Sequence, residues 1–266
     1  RQLRYSEAEY PDLWAAEAQR EILLSSDFSD VDALLVGPVS TVALNEELKA
    51  IAQGGVPIIT VDTYIGDGDY SGGEDSYALS FVGTDNYNGG KEVAERLAEL
   101  VGKEGSVYVN TTHSDVSSVS NRVEGFIAGM AEFPNMHVIA TEYNQDRQSV
   151  AYSQTLRVLR EYPDVRAVFA TNLFSSQGAY QAVLDSGLTG AVRIASWDST
   201  EPIVEALERG FVDLVLAQSP REIGAKAVSL AVDHLEGRSV PRRLHVGARV
   251  LTLESIEGLD IEELTY

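Results

Sequence analysis

The chain has 266 residues, 44% of them hydrophobic, and carries 41 Asp and Glu against 20 Lys and Arg, a formal net charge of −21. That length buries one large core or two small ones, and the absence of cysteine excludes disulfides and thiolate metal sites. The acidity argues against nucleic-acid binding by this segment, because phosphate contacts need clustered Lys and Arg; it fits a salty or extracytoplasmic setting, and no run approaches the ~20 apolar residues of a membrane span.

Residues 1–10 read as a strand and its exit, and Asp12 is placed to cap a helix running to about Leu24. A buried strand over 32–36 stops at Gly37-Pro38, a helix over 42–53 stops at Gly54-Gly55, and a second buried strand from Val56 ends abruptly in Asp62-Thr63. A loose polar loop over 64–80 leads to a short strand closed by Thr84-Asp85-Asn86, with Gly89-Gly90 opening a helix over 91–102. The alternation then continues: strand 106–112, helix 121–133 with Asn121 as a cap, strand 137–143, helix 149–162, strand 167–172, helix 175–187, strand 192–198, helix 201–210, strand 214–218 and helix 220–237, with Pro220 in its first turn. The tail from Val246 returns as an extended segment. Strands alternating with helices of this length predict βαβ units and an α/β fold with mostly parallel sheets, about eight strands in all. The linker-like loop and the returning tail suggest two lobes.

Each strand is apolar until its carboxyl end and polar just beyond it. Asp62 ends one; His113 and Ser114 follow another; Asn144, Gln145 and Asp146 the next; then come Asn172, Asp198 and Gln218. In parallel sheets these ends share one edge, where open α/β sheets bind ligands. Carboxylates and amides gathered there, with Arg122 at a helix start, suit a neutral polyhydroxylated ligand whose hydroxyls donate to Asp62 and Asp198 and accept from Arg122, Asn172 and Gln218. Tyr64, Tyr143, Phe174 and Trp197 lie near enough to stack on sugar faces.

Rival chemistries find little support. Without cysteine or a G-x-S-x-G elbow, a nucleophilic triad lacks its parts. The four histidines (113, 137, 234 and 245) are scattered, and only His113 falls on the ligand edge. No H-E-x-x-H cluster argues for a metal, and Gly89-Gly90-Lys91 lacks the first glycine of a phosphate loop. Asp62 and Asp198 are conceivable as an acid and base, but Arg122 and the surrounding amides suit hydroxyl binding better. The expectation is a binding protein with no catalytic residues, no metal and no cofactor.

The ordered series VPIITVD, VGTDNYNGG, N-R-V-E-G-F, PDVRAVFATN, ASWD and LAQSPREIGAKAV resembles the type I periplasmic sugar-binding proteins, the ribose-binding group of ABC-transporter receptors, across nearly the whole chain. The resemblance implies two Rossmann-like lobes that close on a sugar at a cleft, one lobe of residues 1–84 and 219–247 and the other of 85–218 and 248–266. The crossovers would lie near Thr84-Asp85, Gln218-Ser219 and Val246–Ala248. The family's ligand residues carry over to Asp62, Arg122, Asn172, Asp198 and Gln218. Thr63 stands where the family's ribose binders carry Arg, and Gln145 where they place an aromatic, so a different sugar or a polyol is expected. Thr63, His113, Gln145 and Trp197 complete the expected ligand set. The resemblance also implies that Arg1 enters at the family's second strand, so that its first strand and helix are absent from the chain.

A receptor of this kind would be a monomer, periplasmic or extracellular, with a lipid anchor upstream as one arrangement, and would meet a membrane permease. Two other readings share the fold: the effector domain of a lactose-repressor-type regulator, which needs a helix-turn-helix upstream, and the ligand-sensing ectodomain of a membrane signalling receptor.

Overall fold

The computed structural model describes residues 16–258 and Thr265. The strand expected over residues 1–10 lies outside them, as does the proposed Asp12 cap. The chain divides into two compact units: one runs to Gly83 and adds residues 115–117 and 223–244; the other holds residues 84–114, 118–222 and the chain from His245.

The sheet of the first unit is built from β1 (Leu34–Val36), β2 (Ile58–Val61), β3 (Ala78–Thr84) and β9 (Arg243–Val246), side by side in that order. β1, β2 and β3 are parallel. The helices α1 (Ala16–Ser25) and α2 (Asn45–Gln53) supply Leu23 and Leu48 to a core shared with Val36, Ile58 and Ile65. The polar loop after Asp62 is tied down by Tyr70, which is fully buried; its hydroxyl pairs with Thr60 Oγ1 at 2.8 Å and accepts the Ile65 amide at 3.2 Å.

The second unit carries five parallel strands, β5 (Met136–Tyr143), β4 (Gly105–Thr111), β6 (Val165–Ala170), β7 (Arg193–Trp197) and β8 (Leu214–Ala217), with β10 (Arg249–Thr252) antiparallel on β8. Helices cover both faces, and the inner strands β6, β7 and β8 are accordingly mostly apolar and buried. Along β6, Ala167 and Phe169 join the core under α3 (Asn86–Leu100) and α4 (Ser117–Met130). Val168 and Ala170 point the other way, into the core under α5 (Gln148–Glu161), α6 (Leu173–Asp185) and α7 (Glu201–Glu208). α8 (Pro220–Leu235) is the last long helix, and a single turn, α9 (Leu253–Ile256), follows β10.

Three details differ from the sequence reading. α3 starts at Asn86, capped by the Asp85 side chain, which accepts the Asn88 amide at 3.2 Å; Gly89 and Gly90 lie inside the helix. They are there for close packing: a Cβ on Gly89 would sit 2.6 Å from the Trp197 ring, and one on Gly90 would overlap the Arg122 carbonyl oxygen. α4 begins four residues before Asn121, because the serine-rich run buries Val116 and Val119 and Ser117 Oγ accepts the Tyr64 amide at 2.8 Å. Asn121 is therefore not a cap, and Arg122 sits in the second turn. The tail forms two short strands, one in each sheet.

Candidate functional site

The order β5-β4-β6-β7-β8 reverses beside β4: the chain steps one way to β5 and then returns to the other side for β6. At such a switch point the loops leaving the two strands diverge and open a crevice at their carboxyl ends. Here β4 ends at Thr111 and β6 at Ala170, and the next residues are locked together. Thr171 Oγ1 donates to Thr111 Oγ1 at 2.7 Å, and the Thr171 amide donates to Asn110 O at 3.1 Å. Beneath them runs a buried chain of polar groups. Asn144 Nδ2 donates to Asn110 Oδ1 at 2.6 Å and to Ser175 Oγ at 2.7 Å, and Asn110 Nδ2 donates to the Tyr108 hydroxyl at 2.7 Å. Such a network fixes the edge above it.

Arg122 reaches this edge from α4 and is 3% exposed. Its Nε donates to Asn86 Oδ1 at 2.9 Å, its Nη1 to Thr171 O at 2.8 Å, and the guanidinium lies 4.4 Å over the Trp197 ring. All of these partners are neutral, and among the described residues Nη2 has no hydrogen-bond partner. A buried cation is tolerated when dipoles and an aromatic face replace its hydration; this one keeps a donor in reserve. Asn172 caps α6 by accepting the Ser175 amide at 3.1 Å, while its Nδ2 donates to Asp146 Oδ1 at 2.5 Å. Gln218 Nε2 donates to Asp198 Oδ1 at 2.6 Å, and Gln218 Oε1 accepts from Thr84 Oγ1 at 2.8 Å. Among the described residues Asp198 Oδ2 accepts no hydrogen bond.

Backbone strain concentrates on strand ends. Asp62 (φ 61°), Gln145 (φ 54°), Asp146 (φ 58°) and Asp198 (φ 73°) occupy the left-handed region, each just past the end of a parallel strand. Such conformations cost about 1–3 kcal/mol each and persist where function requires them. In the first unit the Asp62 amide donates to Val82 O at 3.0 Å, and the Thr63 amide donates back to Val61 O at 2.6 Å, a three-residue turn that turns Asp62 out of the strand. In the second unit the Asp198 amide likewise donates to the neighbouring strand, to Leu216 O at 3.1 Å. Buried side-chain atoms without a hydrogen-bond partner also gather on the edge of the second unit, among them Thr112 Oγ1, Asn144 Oδ1, Trp197 Nε1 and Ser199 Oγ. Atoms of this kind are few in native proteins and mark functional or strained places.

Of the residues expected from sequence, Arg122, Asn172, Asp198 and Gln218 stand on this edge, with Gln145 exposed on the loop after β5 and His113 half-buried after β4. Asp62 and Thr63 belong to the first unit, and Thr63 is 3% exposed. Trp197 corrects the reading. Its ring is fully buried, with Arg122 over it, Phe169 packed beside it at 6.3 Å and Gly89 against its edge. It supports the guanidinium and leaves no open face for a sugar. Tyr64, another stacking candidate, packs edge-on against Phe81 at 5.3 Å in the first unit. Thr84, Asn86 and the supporting role of Asp146 were not anticipated; only their position beside strand ends pointed to them. Among the described residues no group of three or more His, Asp or Glu is placed to hold a metal ion.

A family model described as a periplasmic binding protein domain matches residues 7–239. The chain belongs to the type I periplasmic binding protein family. Within it, the ribose import binding protein of Salmonella typhimurium is 28% identical over 218 residues, covering 82% of this chain and 70% of the relative. A solute-binding protein from Agrobacterium vitis, solved with α-D-tagatopyranose, is 34% identical with a TM-score of 0.89, covering 93% of this chain and 84% of its own. One from Actinobacillus succinogenes, solved with D-allose, is 26% identical with a TM-score of 0.83, over 91% of this chain and 86% of its own. Among the described residues of this family member no helix is long and apolar enough to cross a membrane.

Proposed function

We propose that this periplasmic binding protein is the solute receptor of an ABC transporter, that its ligand is a monosaccharide or related polyol, and that it hands the ligand to a membrane permease without a chemical step. The observation that carries the reading is the edge of the second unit. A buried guanidinium, two amides and a carboxylate are each held by neighbours in one orientation, and Arg122 Nη2 and Asp198 Oδ2 are left for an outside partner. Donors and acceptors set at fixed positions are what ring hydroxyls need, since each hydroxyl both donates and accepts. Asp62, presented by its turn in the first unit, and Thr63, His113 and Gln145 complete the proposed ligand set. Relatives whose names specify ribose and neighbours solved with tagatose and allose support the class, while Thr63 and Gln145 favour a sugar other than ribose. Family membership supports a periplasmic or extracellular location.

A thermal-shift screen against pentoses, aldohexoses, ketohexoses, polyols and cyclitols tests the reading. A ligand at about 100 times its Kd stabilises the folded state by roughly 2.7 kcal/mol, a rise of several degrees. A folded protein whose melting point is indifferent to the whole panel contradicts it.

A further inference from the structure

Arg122 and Asp198 on the second unit's edge trace back to one short stretch. The chain passes from the first unit to the second at Gly83–Thr84, and Thr84, 2% exposed, is the last residue of β3. Its hydroxyl donates to Gln218 Oε1 at 2.8 Å, and Gln218 Nε2 donates to Asp198 Oδ1 at 2.6 Å. Its carbonyl oxygen accepts from Asn86 Nδ2 at 3.2 Å, and Asn86 Oδ1 accepts from Arg122 Nε at 2.9 Å.

The direction of each bond follows from chemistry. Gln218 turns its NH₂ toward Asp198 Oδ1, which accepts; the amide oxygen is thereby directed at Thr84, whose hydroxyl must donate. Arg122 only donates, so Asn86 must turn its oxygen to the guanidinium, which directs its NH₂ at the Thr84 carbonyl. Neither amide can flip without setting two donors or two acceptors face to face. Asn86 is 4% exposed and Gln218 half-buried, so neither finds a full set of replacement partners in water.

We propose that Thr84 and Asn86 are positioning residues: they touch no ligand, and they orient Asp198 and Arg122 from the point where the chain enters the second unit. The inference rests on the receptor reading for its effect on affinity. Its geometric half stands without that reading.

Thr84→Val preserves volume and removes the hydroxyl; Thr84→Ser restores it; Thr84→Ala serves should the valine variant not fold. The first readout needs no ligand: hydrogen exchange of the Gln218 side-chain NH₂, followed by ¹⁵N NMR. Exchange is expected to quicken about tenfold or more in Thr84→Val, the loss of roughly one buried hydrogen bond, and to return to the wild-type rate in Thr84→Ser. Unchanged exchange in Thr84→Val overturns the proposal, whatever the wild type binds. The second readout is a double-mutant cycle on affinity for the sugar that gives the largest thermal shift. Thr84→Val should weaken binding about five- to tenfold in the wild type and have almost no further effect in Asp198→Ala, because residues acting through one another are not additive. A merely structural threonine would weaken binding equally in both backgrounds, and that result also overturns the proposal. A wild type that binds no sugar sinks the receptor reading and leaves the exchange measurement to decide the role of Thr84.

Discussion

In the proposed site, Arg122 shows how a single residue is prepared for a partner. Its charge is solvated by a carbonyl, an amide oxygen and an indole face rather than by a carboxylate, so it stays a strong donor. Arg122→Lys keeps the charge but gathers its three donors on one nitrogen, which cannot reach Asn86 Oδ1 and Thr171 O from the separate positions of Nε and Nη1 and still point a donor where Nη2 stands. Affinity in calorimetric titration should fall about tenfold or more, the worth of one charge-assisted hydrogen bond; an unchanged Kd would remove Arg122 from the site. Position was legible at this scale. Asp62, Asn172, Asp198 and Gln218 announce themselves as polar residues directly after apolar strands, and Arg122 through its motif. What was not legible is orientation. The pattern that put Trp197 at a strand end is the same whether its ring faces a ligand or lies under a guanidinium, and nothing in the chain's local chemistry reveals that Thr84 and Asn86 connect to residues far along the sequence.

Helix packing decides where Arg122 stands. α3 and α4 approach closely enough that a Cβ on Gly125 would overlap the Tyr87 carbonyl oxygen. Gly125→Ala should cost about 1–3 kcal/mol through overpacking and, by pushing α4 outward, weaken ligand binding as well; circular dichroism melts and the sugar titration read the two effects separately. Loss of neither would mean that α4 has room to give. The glycine pair of α3 reads from sequence as a helix opening because glycine usually punctuates; only the Trp197 ring against Gly89 and the α4 backbone against Gly90 explain it. The loop after Asp62 carries a second prediction. Burial raises the Tyr70 hydroxyl from 10.0 to about 12, and burial likewise raises Tyr77 and Tyr108. A raised folded-state value means that the neutral phenol is held: its stabilisation is complete below pH 10 and is lost as the pH climbs toward 12. Alkaline titration followed by tyrosinate absorbance should show these phenols ionising together with unfolding. Ionisation at pH 10 in a still-folded protein would contradict the burial.

On the scale of the whole molecule, a net charge of −21 sets acidic side chains against one another. Exposed pairs such as Arg238–Asp233 and Lys91–Glu132 offset little of this, since surface ion pairs contribute about 0–1 kcal/mol. Raising NaCl from about 0.05 to 1 M shortens the screening length from over 10 Å to about 3 Å, so the melting temperature should rise with salt; a flat or falling profile would show that self-repulsion is not a significant term. The α/β class and the alternation of elements were plain in the sequence, because strands buried on both faces and amphipathic helices have distinct periods. Strand order was not, since it depends on which side of β4 each crossover returns, and neither was the division of the tail between two sheets. The most direct test of the proposed receptor function is calorimetric titration of the wild type and Asp198→Ala with the sugar that gives the largest thermal shift. The wild type should bind one equivalent, with the sugar recovered unchanged, and Asp198→Ala should bind about tenfold or more weakly while melting as a folded protein. Equal affinity in the two proteins, or conversion of the sugar, would contradict the assignment.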